Sequence, residues 1–479
     1  MIGSGIASFL SLALIELALP APILARTLLA DPNAGPGQPN YYQALVGMLA
    51  PGDTLMLQAG VYPDRLSLAR LQGAPSAWVV ITGPATGTPA TITTQSTCCN
   101  TVQLDGTAYV ALTNLTIDSA GLDAIDGVNA KGSPTHDILI ENCTLVGQGS
   151  HQATIGISTK SPAWRWIIRG NRIVEAGTGI YLGNSDGTQP FIAGVIEGNL
   201  ILNSIGYNME IKHQLPYGSQ SWASQLPAGP QRTVIRNNVF IKEKHDWPSS
   251  KVAAPRPNLL VGPFPDSGPG SSDLYEIYGN FFYRNPDESL LQATGRVTLH
   301  DNIFVGSGLG QVSANLTDHN GPLKLARVYN NTVYSVAGGG IQFASAAREG
   351  DAVVGNLIVT GGRGLSGTIS NSSGNVIGTV ANDSLYFVNP SEILGQMDFY
   401  PKRGCVNCTG TALPVTPFAG DTDYDRDFNG ASKAGFTFRG AYAGEGANPG
   451  WRLQGNIKTG APGSTDHTPP DAPMDLHHR

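Results

Sequence analysis

Charge is scarce in this chain. Asp, Glu, Lys and Arg make up only 14% of its 479 residues, and the acids prevail, for a formal net charge of −7. With a pI near 5.7 there is no broad basic face, which excludes a nucleic-acid binder. The five cysteines, Cys98, Cys99, Cys143, Cys405 and Cys408, are too few for a disulfide framework. No apolar run is long enough to span a bilayer as a helix. What abounds is glycine, with 60 residues, and proline, with 33. That pairing fits many short strands joined by tight turns, with little helix. An apolar share of 41% is too high for a disordered chain.

Between residues 112 and 360 one phrase recurs: two or three apolar residues, a polar pair, an asparagine, then another apolar pair. The asparagine column reads Leu115, Cys143, Asn171, Asn199, Asn238, Asn280, Asn302, Asn331 and Asn356, and its first four members stand 28 residues apart. A fixed period of this size marks a solenoid, whose repeats bury their apolar faces only by stacking. The repeat is made of strands, so the fold class is all-β. The expectation is a single-stranded right-handed parallel β-helix of about ten to twelve rungs with a short N-terminal capping helix. Residues 40–50, with Tyr42, Leu45, Val46 and Leu49 at helical spacing, would form that cap.

The period stretches twice, to 39 residues between Asn199 and Asn238 and to 42 between Asn238 and Asn280. The surplus lies in 214–231 and 243–272, both rich in Pro, Gly and Ser, and enlarged loops on adjacent rungs suggest the walls of a cleft. The domain reading is a signal peptide over 1–25 and a β-helix domain over 26–455. The domain divides into a capping region 31–60, rungs 61–390 and a closing segment 391–455, and a disordered tail 456–479 follows it. The signal-peptide reading rests on the apolar run 6–15 and the small residues 20–25, although no Lys or Arg precedes Arg26. It implies a secreted or periplasmic protein. Cys405 and Cys408, in a Gly-rich loop, suggest a local disulfide, Cys143 a buried thiol, and Cys98–Cys99 a reduced pair.

A second strand follows each asparagine phrase. Strand alternation turns Val128, Ala130, Ile157, Thr159, Ile180, Leu182, Met209 and Ile211 inward. Outward it leaves two columns, Asn129/Ser158/Tyr181/Glu210 (continued by Gln292 and Gln342) and Lys131/Lys160/Gly183/Lys212. Stacked lysines on an acidic protein either splay into solvent or meet an anion. Glu210, Lys212 and His213 sit at the mouth of the first long loop, and Lys242, Lys244 and His245 at the root of the second. Lys212, His213 and Glu210 are therefore the catalytic candidates, since His exchanges protons near neutrality without tuning. Lys131, Lys160, Tyr181, Lys242, Lys244 and His245 are the candidate substrate contacts. Asp123, Asp126 and Asp186 are candidates for Ca²⁺, although no EF-type loop is present.

Three features resemble secreted bacterial right-handed parallel β-helix proteins of the pectate lyase and chondroitinase B-like polysaccharide lyase superfamily. They are the opening segment 44–62 (ALVGMLAPGDTLMLQAGVY), the asparagine-bearing rungs, and the closing segment 423–442 (DYDRDFNGASKAGFTFRGAY). The resemblance implies β-elimination of acidic polysaccharides with Lys or Arg as base and, in some members, Ca²⁺. No Trp-x-Asp-His phrase and no paired-Asp motif of polygalacturonases occurs here, so Lys212 and His213 come from this chain's own columns. The leading expectation is a monomeric lyase acting on a uronate-containing polymer. A glycoside hydrolase using Asp186 and Glu210 is the second, and a non-catalytic carbohydrate-binding or surface protein the third.

Overall fold

The structure is a computed structural model and describes residues 25–95, 99–122 and 126–459. The chain passes through three sheets in turn, once per rung. The first sheet has 15 strands, from Thr27–Ala30 to Ser372–Ser373; the second has 12, from Gly60–Tyr62 to Val376–Thr379; the third has 11, from Leu66–Ser67 to Leu365–Gly367. Every pairing within them is parallel, so the chain is a right-handed parallel β-helix. A helix at Tyr42–Val46 lays Tyr42, Leu45 and Val46 onto the first rungs, as its spacing predicts.

The recurrent phrase is the corner between the first and second sheets. The residue before each ladder position takes a left-handed φ, for example Asn142 (52°), Gly170 (65°), Asn237 (56°), Asp301 (52°) and Gly355 (65°). Gly, Asn and Asp bear that conformation most cheaply, which accounts for the polar pair. The next side chain then turns inward. Asn280 donates from Nδ2 to the Ile235 carbonyl (2.8 Å) and to Asn302 Oδ1 (3.0 Å). Its own Oδ1 accepts from the Asn238 backbone N–H and from Asn238 Nδ2. The ladder runs one rung beyond the phrase, to Asn375. Cys143 occupies one position as a buried free thiol.

On the outer face of the first sheet Arg169 bridges Glu141 and Glu197, and Arg236 continues from Glu197 to the Tyr278 hydroxyl. A ring stack follows: Tyr278, His300, Tyr329 and Phe418, with centroids 4.7, 4.7 and 4.1 Å apart. Phe418 belongs to the closing segment, which returns along the outside of the helix. Phe399, Tyr400, Phe428 and Tyr442 cover the outer face of the second sheet, and Leu413, Val415 and Phe418 cover part of the first. Buried lysines pin this segment down. Lys433 bonds Asp301 at 2.6 Å, and Lys458 bonds Asn237 Oδ1 and the carbonyls of Gly279 and Phe428. The packed chain thus reaches Lys458, past residue 455 where a tail was expected. Neither covering cluster includes a residue of the third sheet.

Cys405 and Cys408 form the expected disulfide. Cys99 is also disulfide-bonded, which corrects the expectation of a reduced pair; Cys98 lies outside the described residues, as do the proposed signal peptide up to residue 24 and the tail from 460. Among the described residues no helix is long and apolar enough to cross a membrane. Strand Leu259–Val261 corrects another expectation. It lies inside the stretch taken as one insertion, dividing it into a loop 243–258 between the second and third sheets and a loop 262–273 between the third and first.

Candidate active site

The outer face of the third sheet is the floor of a groove. Its register places Asn129 against Ser158, Ser158 against Tyr181, and Tyr181 against Glu210, then Leu260, Gln292, Asn315 and Gln342. Leu260 sits in a column that the sequence carried straight from Glu210 to Gln292. Lys131 pairs in register with Lys160, and their like charges separate because Lys160 turns to Asp126 (Nζ–Oδ2 3.1 Å) while Lys131 stays exposed. Asp126 also accepts from the Ile155 N–H and from Asn129 Nδ2.

At the centre, Lys212 Nζ bonds Glu210 Oε1 at 2.7 Å and lies 5.7 Å from the centroid of the Tyr181 ring. Gly183 makes this possible. At its φ of +91° a Cβ would stand 3.2 Å from Lys212 Cβ, so a side chain there would crowd Lys212. Burial raises the pKa of Glu210, with Lys212 opposing it. Burial also raises that of Tyr181, with the Glu210 charge adding to it, so the phenol stays protonated. His213 lies under the turn that contains Gly187, where a Cβ would come 2.7 Å from the ring. Burial and then Lys212 lower its pKa below the usual 6.5, while Asp186 pulls the other way. It is a neutral imidazole at pH 7.

Two residues join this group that the sequence reading did not single out. His319, on the loop after strand Val312–Leu316, has its pKa lowered by burial and then by the charges of Lys212, His213 and Arg256. Arg256, in the 243–258 loop, stacks its guanidinium over Tyr207 at 5.4 Å. Only the registers of later rungs bring His319 near, and no periodicity extends into the loop that carries Arg256. Under that loop lies a cavity of about 550 Å³, lined among others by Lys160, Tyr181, Tyr207, Glu210, Lys251 and Arg256.

The second Lys/His cluster does not reach this place. Lys242 is buried, with Nζ bonded to the carbonyls of Gly206 and Arg256, and burial pushes its pKa down to about 7. Lys244 pairs with Glu175 and lies over the Trp247 ring, and His245 is exposed. Asp186 accepts from the backbone and hydroxyl of Thr188, bonds that lower its pKa. Asp123 lies outside the described residues. Among the described residues no three His, Cys, Asp or Glu side chains are grouped so as to hold a metal ion. The first insertion lies to the side, with Trp222 stacked on Trp164 and Gln214 bonded to the carbonyl of Phe191.

Fold and site define a parallel β-helix protein whose third sheet floors a groove lined by cations and imidazoles. No family model and no curated protein matches the chain. Solved structures similar to it include an alginate lyase from Paenibacillus sp. str. FPU-7, at 14% identity and TM-score 0.38 over 74% of this chain and 99% of the lyase. A pectate lyase is similar at 12% and 0.42 over 73% and 79%. The A-module of a mannuronan C-5 epimerase from Azotobacter vinelandii is similar at 16% identity and TM-score 0.41 over 70% of this chain and 94% of the module.

Proposed function

We propose that this chain is a carbohydrate-active enzyme that cleaves a uronate-containing polysaccharide by β-elimination. The observation that carries the reading is the Lys212–Glu210 pair with Lys212 Nζ 5.7 Å from the Tyr181 ring centroid, and next to it in the chain His213, whose imidazolium is disfavoured by burial and by Lys212. Elimination needs a base for the proton α to the carboxylate, cations for the charge that develops there, and an acid for the leaving oxygen. In this reading His213 takes the C5 proton as the C4–O4 bond breaks and a C4=C5 double bond forms. Lys212 and Lys160, each shared with a carboxylate of the protein (Glu210 and Asp126), lower the electrostatic energy of the substrate carboxylate, and Tyr181 returns a proton to O4. The net product pair is an unsaturated uronate at one new end and a hydroxyl at the other. Incubation with pectate, alginate or a glycosaminoglycan should therefore raise ultraviolet absorbance in step with new reducing ends. No absorbance from any of the three would sink the reading.

Charge neutralisation by side chains has a further consequence. Asp126 already holds Lys160, Asn129 and the Ile155 N–H, and Asp186 holds Thr188, so neither carboxylate awaits a cation. The rate of elimination is expected to be unchanged by excess EDTA and by added Ca²⁺. A rate that collapses on chelation and returns with Ca²⁺ would move neutralisation from the lysines to a metal.

One observation favours a second reading. Glu210 and Asp186 both act on Tyr181, and their pKa values are displaced in opposite directions, Glu210 upward and Asp186 downward. A carboxyl pair split in this way suits the acid and base of a glycoside hydrolase. Lys212 opposes the upward shift that burial gives Glu210, and so works against Glu210 serving as the acid that hydrolysis needs. Reducing ends appearing without absorbance would select hydrolysis.

A further inference from the structure

We infer that Arg256 is the specificity-determining receptor for a uronate carboxylate, and that the loop carrying it is a strap built to hold it over the third sheet. The inference rests on the proposed substrate class and adds where, and by which residue, that substrate is recognised. Among the described residues, the cations around the cavity are mostly engaged. Lys160 bonds Asp126, Lys212 bonds Glu210, and Lys251 donates to the Gly149 carbonyl. Arg256 lines the same cavity and is partly exposed. Among the described residues its guanidinium stacks on Tyr207 and makes no hydrogen bond or ion pair, although its charge is felt by Glu210 across the cavity.

The strap has anchors at both ends. At one end Gln152, in a turn three rungs earlier, accepts from the N–H groups of Ala253 and Ala254 and donates back to the Ala254 carbonyl. Its own backbone N–H bonds the Lys251 carbonyl. At the other end the Arg256 carbonyl receives Lys242 Nζ at 2.8 Å and Asn285 Nδ2 at 2.8 Å. This is why Lys242 is buried among carbonyls. It positions the strap and, with it, the arginine. A loop held by so many bonds from distant rungs places its side chain reproducibly, as recognition of a planar anion requires.

A guanidinium stacked on an aromatic ring presents its forked edge to one carboxylate, forming two parallel charge-assisted bonds. The cavity, about 550 Å³ and walled by Tyr181 and Tyr207, is of a size that takes a small organic group such as one sugar unit of the polymer. Its cation thus selects a charged sugar over a neutral one, apart from the chemistry at His213.

The test measures binding by calorimetry on the full chain with short oligogalacturonate and oligomannuronate, and with the same oligomers after reduction of their carboxyl groups. Arg256→Ala should weaken uronate binding roughly tenfold to a hundredfold, the worth of a charge-assisted hydrogen bond. Arg256→Lys should recover part of the loss, and Gln152→Ala, which frees the strap, should weaken binding with the circular dichroism unchanged. The carboxyl-reduced oligomers should bind the native chain and Arg256→Ala alike. Wild-type affinity for both uronates in Arg256→Ala, or no uronate binding by the native chain, overturns the inference. A native chain that binds uronate through Arg256 and makes no unsaturated product would instead remove the lyase reading and leave this receptor standing.

Discussion

Replacing His213 by alanine is expected to lower turnover by roughly 10²- to 10⁴-fold, the range a positioned general base supplies, with little change in KM for short uronate chains. The expectation depends on which group near the groove can accept a proton at neutral pH. Lys212 is engaged with Glu210, and the phenol of Tyr181 is held protonated by burial. Burial and the Lys212 charge disfavour the imidazolium of both His213 and His319. The base is assigned to His213, which follows Lys212 directly in the chain, and His319→Ala is the companion variant, expected to keep most of the turnover. The sign for pH follows. The His213 pKa is lowered below 6.5, so the active, unprotonated form persists above that depressed value and is lost only as pH falls through it. The acid limb of kcat in the native chain should lie below pH 6.5, and Asp186→Asn, which removes the one opposing charge, should move it lower still. Retention of native kcat by His213→Ala, with the acid limb in place, would assign the base to another group.

The architecture was legible because the corner between the first two sheets demands a particular chemistry. Gly, Asn and Asp bear the left-handed corner residue most cheaply, and an amide at the inward position bonds both neighbouring rungs. From Asn171 to Asn356 the corner therefore repeats in the sequence, with Leu115 and Cys143 standing in at the first two positions of the column. The outward columns were legible for the same reason. Strand alternation fixes which residues share a face, and the Lys131–Lys160 and Tyr181–Glu210 neighbours follow from it. Legibility failed where the chain leaves the period. Strand Leu259–Val261 is apolar on both faces, so no alternation set it apart from the loop around it. Lys242 looked like a free cation because nothing in the sequence reveals that the carbonyls of Gly206 and Arg256 would close over it. Arg256 was passed over for the converse reason. Its place is set by Gln152, more than a hundred residues away in sequence (102 to Ala254), and long-range pairing of that kind leaves no local pattern. The third sheet's outward columns were legible as the functional face, but the reason the other two faces are unavailable, the closing segment packed over them, was not visible in the sequence.

Asn280→Ala is expected to be the most destabilising single change in the rungs, by roughly 2–6 kcal/mol, counting two buried polar groups left unpaired, the Asn238 N–H and the Ile235 carbonyl, at about 1–3 kcal/mol each. The amide serves both neighbours at once. Its carbonyl oxygen accepts the backbone and side-chain N–H groups of Asn238, and its nitrogen serves Ile235 and Asn302. Asn280 is fully buried, so water cannot replace these bonds. Asn280→Asp should fail nearly as badly, because a carboxylate lacks the donor that Ile235 needs and adds an unpaired charge to the core. The control is Asn375→Ala in the last rung. The same bonds are made there, to Asn356 and Val353, but the residue is partly exposed and solvent can take over, so the cost should be nearer 1 kcal/mol. Urea unfolding of the three variants against the native chain measures the difference. The closing segment ties together rungs on both sides of Asn280, with Lys458 bonding Asn237 and Gly279 and Lys433 bonding Asp301, so the variant should still unfold in one transition at a lower midpoint. An Asn280→Ala midpoint equal to that of Asn375→Ala would mean that apolar stacking alone holds the rungs, and that the amide ladder only sets their register.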